Sequence, residues 1–95
     1  MSVLVLLEPE ASDGRADDLI GLLNSVLPDT RVHDGCEGVT MHRDQDSPNK
    51  LVLVERWASR PHYERYVAWR GERGDLDRLG ALCAGPPVIR YFDEV

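Results

Sequence analysis

The chain has 95 residues, 42% of them apolar, and a formal net charge of −6. That length leaves room for one domain with one modest core, and that composition argues against disorder. Ten of the eleven basic residues are Arg, and the acidic balance offers no electrostatic footprint for nucleic acid or for an anionic membrane.

Met1 to Pro9 is apolar but short, with no basic leader or small-residue cleavage site, so it reads as a strand and not as a signal peptide. No segment approaches the ~20 apolar residues that cross a bilayer. The cytoplasm is the expected location. Cys36 and Cys83 are too few and too distant to suggest a disulfide framework and read as two reduced, partly buried thiols.

Ser2 to Glu8 reads as the first strand, with Val3, Val5 and Leu7 on one face and Leu4 and Leu6 on the other. Ser12, Asp13 and Gly14 supply turn and N-cap chemistry. Ala16, Leu19, Ile20, Leu22, Leu23, Val26 and Leu27 follow at helical spacing, and Pro28 is expected to stop that helix. Asp34-Gly35 marks a turn, and Cys36 to Arg43 is a second, less apolar strand. Asp44 to Asn49 is a polar hairpin loop. Lys50 to Ala58 is a third strand, apolar on both faces.

Ser59 fits an N-cap and Pro61 the first turn of a second helix, with Tyr63, Tyr66, Val67 and Arg70 along one side. Gly71 and Gly74 interrupt it. Leu76, Leu79, Leu82 and Cys83 form a further short amphipathic stretch. Gly85-Pro86-Pro87 ends the helical region, and Val88 to Phe92 is the last strand. The order is β-α-β-β-α-β over residues 1–95, a single α+β domain with a ferredoxin-like, four-stranded antiparallel sheet.

Two helices cover one face of such a sheet, yet the first and third strands are apolar on both. An open apolar face of that size exceeds what soluble monomers tolerate, and a second copy of the chain is the simplest cover. A homodimer is therefore expected, with the choice of face left open.

Thr30-Arg31, the Gly35-Cys36 turn and Glu55-Arg56-Trp57-Ala58-Ser59 at the end of the third strand resemble the pattern of the antibiotic-biosynthesis-monooxygenase family. The resemblance runs from the first strand to Val88. It implies a dimeric α/β barrel of ferredoxin-like subunits. It also implies oxidation of a phenolic or hydroquinone-type aromatic compound by molecular oxygen, with no flavin, haem or metal. In the polyketide-tailoring branch a His, a Trp and a Tyr line the pocket, and His42, Trp57 and Tyr63 match them by type and spacing. That branch carries an Asn where Leu53 stands. The quinol-oxidising branch carries His residues along the second helix, where Tyr66 and Gly71 stand here while His62 is retained.

On that resemblance His42 takes or shares the substrate proton, since imidazole is the side chain that serves as a base near neutral pH. Tyr63 hydrogen-bonds the substrate oxygen, Trp57 stacks on the ring, and Tyr66 and Leu53 line the pocket. The three residues His42, Trp57 and Tyr63 are expected to converge on one cavity. Read from type alone, Trp57, Tyr63 and Tyr66 are equally core residues, and His42 an exposed strand histidine. His33 is expected to be solvated in its loop and His62 to serve helix-cap chemistry. Glu55 shares a face with Leu53 and Trp57, so if buried it needs a partner, and Arg56 points the other way. The His33/Cys36 spacing lacks the further ligands a metal site needs. The alternative function is a non-catalytic small-molecule-binding or interaction protein on the same scaffold; a third is an isomerase or cyclase that moves protons in the same pocket without oxygen.

Overall fold

The structure, a computed structural model, describes residues 2–95. Seven elements follow in order: β1 (Val3–Glu8), α1 (Ala16–Val32), β2 (Cys36–Arg43), β3 (Leu51–Trp57), α2 (Arg60–Glu72), α3 (Asp75–Gly80) and β4 (Val88–Phe92). The four strands form one sheet in the order β2-β3-β1-β4, every neighbouring pair antiparallel. This is the α+β, ferredoxin-like arrangement that the element order predicts.

Strand alternation assigns the two faces. Val3, Val5 and Leu7 of β1 share a face with Leu53, Glu55 and Trp57 of β3, because Val3 pairs with Trp57, Val5 with Glu55 and Leu7 with Leu53. The helices pack on this face. Leu19, Leu23 and Leu27 of α1, one turn apart, close against Val39, Leu51 and Leu53. Val3, Val5, Trp57 and Tyr63 form a second cluster beside it. Each large apolar side chain taken out of water here contributes about 1.5–3 kcal/mol. The opposite face carries Leu4, Leu6, Val52 and Val54, all half-buried, flanked by Phe92 and Val88 of β4, which are exposed.

Three local expectations are corrected. Pro28 does not stop α1: the helix continues to Val32 with Pro28 inside it. The ring costs one ladder bond, but the last turn is held from outside. Arg70 Nη2 donates to Val26 O at 2.8 Å, and Thr30, itself buried, bonds the Tyr66 hydroxyl at 2.7 Å. The α1 N-terminus has no side-chain cap; the Ser12-Asp13-Gly14 turn closes through its backbone, Arg15 N donating to Ser12 O. His33 is not a solvated loop residue. Its ring is half-buried against Trp57, Tyr66 and Trp69, at centroid distances of 6.3, 5.2 and 4.9 Å.

The start of α2 follows the sequence reading. Ser59 accepts from His62 N, and its hydroxyl meets His62 Nδ1 at 2.6 Å. Gly35, at φ +87°, lets the α1–β2 turn lie against the His62 ring, where a Cβ would come within 2.5 Å. Only glycine meets both demands.

Candidate functional site

Between the sheet and the helices lies a mostly apolar cavity of about 240 Å³. Its walls come from α1 (Leu23, Thr30), from β3 (Leu53, Glu55), from α2 (Tyr63, Tyr66, Arg70) and from α3 (Leu76, Leu79). Ligand sites are commonly of this kind, concave and apolar with a few convergent polar groups. Here the polar groups fall into two sets.

The first set is Glu55 with Trp57. Glu55 is 2% exposed, carried inward by the same alternation that buries Leu53 and Trp57. Trp57 Nε1–H donates to its carboxylate at 3.1 Å, and among the described residues no cation pairs with it. Burial pushes its pKa up to about 7, against the smaller opposing pull of the Trp57 bond. A carboxyl group in that state exchanges a proton near neutral pH, as a general acid or base must. Tyr63 is packed edge-on to Trp57 at 5.5 Å. Burial, then the nearby Glu55 charge, raise its pKa well above the ordinary phenol range, so it is a hydrogen-bond donor and not a base.

The second set joins three helices. Arg70, 2% exposed, donates from Nε to the Tyr66 hydroxyl at 2.9 Å, from Nη1 to Asp75 at 2.9 Å, and from Nη2 to Thr30 Oγ1 at 3.0 Å as well as to Val26 O. Asp75 also receives Arg73 at 3.1 Å and Arg78. Its burial opposes the charge, but the three guanidinium partners outweigh that and hold its pKa at about 2.

The anticipated site residues separate. Tyr63, Tyr66 and Leu53 line the cavity. Trp57 is fully buried behind the wall, where it braces Glu55 and stacks on Tyr66 at a centroid distance of 4.9 Å. It offers no face to the cavity. His42 is on the other side of the sheet: β2 pairs it with Val52, while Val39 and Met41 pair with Glu55 and Leu53. Its ring bonds Thr40 at 2.9 Å on the open, exposed face. His42, Trp57 and Tyr63 therefore do not converge, because an even number of residues from Thr40 keeps His42 off the helix side. The carboxylate that does reach the cavity is Glu55. Its strand parity was readable in the sequence; its lack of a cation was not.

A model of the antibiotic biosynthesis monooxygenase family matches residues 2–70. The chain belongs to that family. No curated protein is similar enough in sequence to count as a relative. Among solved structures, a Mycobacterium tuberculosis protein is 24% identical, with 100% of this chain and 96% of that one covered at a TM-score of 0.82. A conserved protein of Methanosarcina mazei superposes with a TM-score of 0.88 at 13% identity, covering 100% of this chain and 94% of that one. A structure described as an antibiotic biosynthesis monooxygenase gives 0.86 at 18% identity, with 98% of both chains covered. At these identities the structural likeness concerns the fold.

Proposed function

We propose that this member of the antibiotic biosynthesis monooxygenase family oxidises a phenol or hydroquinone-type aromatic compound with molecular oxygen, without a cofactor, in the cavity between sheet and helices. The observation that carries the proposal is the Glu55 carboxyl, buried in an apolar wall beside Tyr63 and Tyr66 with no cation paired to it among the described residues. A neutral phenol reacts slowly with triplet oxygen; a phenolate can pass it an electron directly. Glu55 takes the phenol proton. One electron passes to oxygen, and the radical pair joins at a ring carbon as a peroxide, which Glu55 reprotonates. Loss of the hydrogen on that carbon as a proton breaks the O–O bond and expels hydroxide. One oxygen atom ends as the new carbonyl and the other as water. The cavity's apolar walls exclude the water that would solvate the phenolate, and the Tyr63 hydroxyl donates to the developing anion.

Glu55→Gln keeps the shape and the Trp57 contact but cannot accept the proton. It should lower oxygen uptake with hydroquinones by about a hundredfold or more, the usual scale for removing a general base. Rates should follow the ionisation of a group near pH 7 in the wild type. Proton exchange into the substrate without oxygen uptake would support an isomerase instead. Tight binding of aromatic compounds with neither reaction would make this a binding protein.

The same reading extends to assembly. A second copy covers the open face of Leu4, Leu6, Val52, Val54 and Phe92, giving the dimeric α/β barrel. Sedimentation at micromolar concentration should find a dimer, and Leu6→Asp should shift it to monomer, since a charge would replace an apolar contact at the seam. A stable wild-type monomer would remove this part of the proposal.

A further inference from the structure

Arg70, Thr30 and Val26 O set the hydrogen bonds open to the Tyr66 hydroxyl. Val26 O has two lone pairs. The α1 ladder gives one to the Thr30 N–H, and Arg70 Nη2 takes the other at 2.8 Å. Thr30 Oγ1–H, 3.3 Å from the same carbonyl, is thus left a crowded and distant acceptor there. Its better partner is the Tyr66 hydroxyl at 2.7 Å. Arg70 Nε already donates to that hydroxyl at 2.9 Å. Thr30 Oγ1 in turn accepts from Arg70 Nη2 at 3.0 Å. Either hydroxyl can donate across that pair; with Thr30 as the donor, Arg70 and Thr30 fill both acceptor positions of Tyr66 and leave its own hydrogen for the cavity it lines.

We propose that Arg70 is a positioning residue: by occupying Val26 O it turns the Thr30 hydroxyl toward Tyr66 and so aims the Tyr66 O–H into the cavity, as donor to a carbonyl oxygen of an aromatic ligand. The inference deepens the reading of the cavity as an aromatic-substrate site. It assigns that ligand two polar ends, a hydroxyl for Glu55 and a carbonyl for Tyr66. Asp75 holds the guanidinium in place from the far side, with Arg73 and Arg78 holding Asp75. Burial keeps the Tyr66 phenol protonated by raising its pKa, although the Thr30 and Arg70 bonds pull the other way.

The test is anaerobic calorimetric titration of the full chain with 4-hydroxyacetophenone and with 4-ethylphenol, which differ by a carbonyl at one end. Tyr66→Phe should weaken the ketone about tenfold, the scale of one hydrogen bond, and change the ethylphenol less than about twofold. The infrared carbonyl band of the bound ketone should lie lower in the wild type than in Tyr66→Phe. Arg70→Lys frees Val26 O, so Thr30 turns to it and takes the Tyr66 proton; ketone affinity should fall to the Tyr66→Phe level. Adding Thr30→Val to Arg70→Lys removes that competing acceptor and should restore most of the loss, which a merely structural role for Arg70 would not produce. Thr30→Val alone should keep the carbonyl band of the bound ketone at its wild-type position, because Tyr66 then has no acceptor but the ligand.

Wild-type protein that does not take up the ketone overturns the proposal. So does an equal carbonyl band in Tyr66→Phe, or a double variant no better than Arg70→Lys. If Arg70→Lys does not fold, a Thr30→Val carbonyl band at the Tyr66→Phe position overturns it equally. Oxygen is absent throughout, so these outcomes do not depend on catalysis. Failed oxygen uptake with ketone binding intact removes the oxygenase reading and leaves the positioning of Tyr66 standing.

Discussion

Glu55, in the cavity wall, and Asp75, bonded to the wall residue Arg70, are buried to the same degree, each 2% exposed, yet they are opposite in charge behaviour. Asp75 is clasped by three guanidiniums and stays ionised down to about pH 2. Glu55 has an indole N–H for a partner and holds its proton up to about pH 7. Burial is common to both, so it cannot be what separates them. The number of cations within hydrogen-bond reach decides, because desolvation penalises either charge and only an opposite charge offsets it. The carboxylate held ionised and the one held protonated are told apart by their partners.

Three measurements sharpen or break this contrast. The largest expected effect is Asp75→Ala, which strands the Arg70 guanidinium without its buried counter-charge. It should cost about 3–5 kcal/mol in urea denaturation, the range for breaking a buried ion pair from one side. Arg73→Ala and Arg78→Ala remove half-exposed partners and should cost no more than about 1 kcal/mol each. If Asp75→Ala were as mild as these, the three cations would not be what anchors the helices.

Next in size is the pH dependence contributed by Glu55. Its pKa is about 7 in the folded chain against 4.5 when exposed, so the folded state binds the extra proton between those values. Linkage then makes this contribution complete below about pH 4.5 and lost as pH rises through 7, up to about 3 kcal/mol. Wild-type stability should fall across that window while Glu55→Gln stays flat. Asp75 has the reverse sign: its contribution is present above its ordinary value and disappears only as the pH falls toward 2. A wild-type profile that rises from pH 5 to 7 would mean that Glu55 has a counter-charge in solution.

The smallest expected effect is His42→Ala. His42 lies across the sheet from both carboxylates, bonded to Thr40 on the open face. Oxygen uptake per folded protein should change less than about threefold, since a side chain that touches no reacting atom supplies no general-base catalysis. A loss of a hundredfold would return the proton transfer to the imidazole and take it from Glu55.

The sequence by itself determined the order of elements, the ends of β2 and β4, the polar hairpin, the Ser59 cap and the two-faced apolar character of β1 and β3. These rest on alternation, helical spacing and turn chemistry, which act between residues near in sequence. It also carried the family's pattern; Leu53, Tyr63 and Tyr66, named on that pattern, line the cavity. Tertiary structure alone decided the rest. Pro28 lies inside α1, and Arg70, far along the chain, holds Val26 O and so ties the last turn to α2. His33 is drawn from its loop into the ring cluster of Trp57, Tyr66 and Trp69. The face on which β2 presents His42 depends on how β2 registers against β3, where the Cys36/Gly38 irregularity shifts the pairing. A one-residue shift exchanges the two sides of a strand, and within β2 only the short Val39/Met41 alternation signals which side His42 takes. Glu55 is the same case: its parity is local, but whether a cation meets it depends on which helix faces pack over β3. Charge pairing in a buried site is a property of neighbours in space, and spacing along the chain does not encode it.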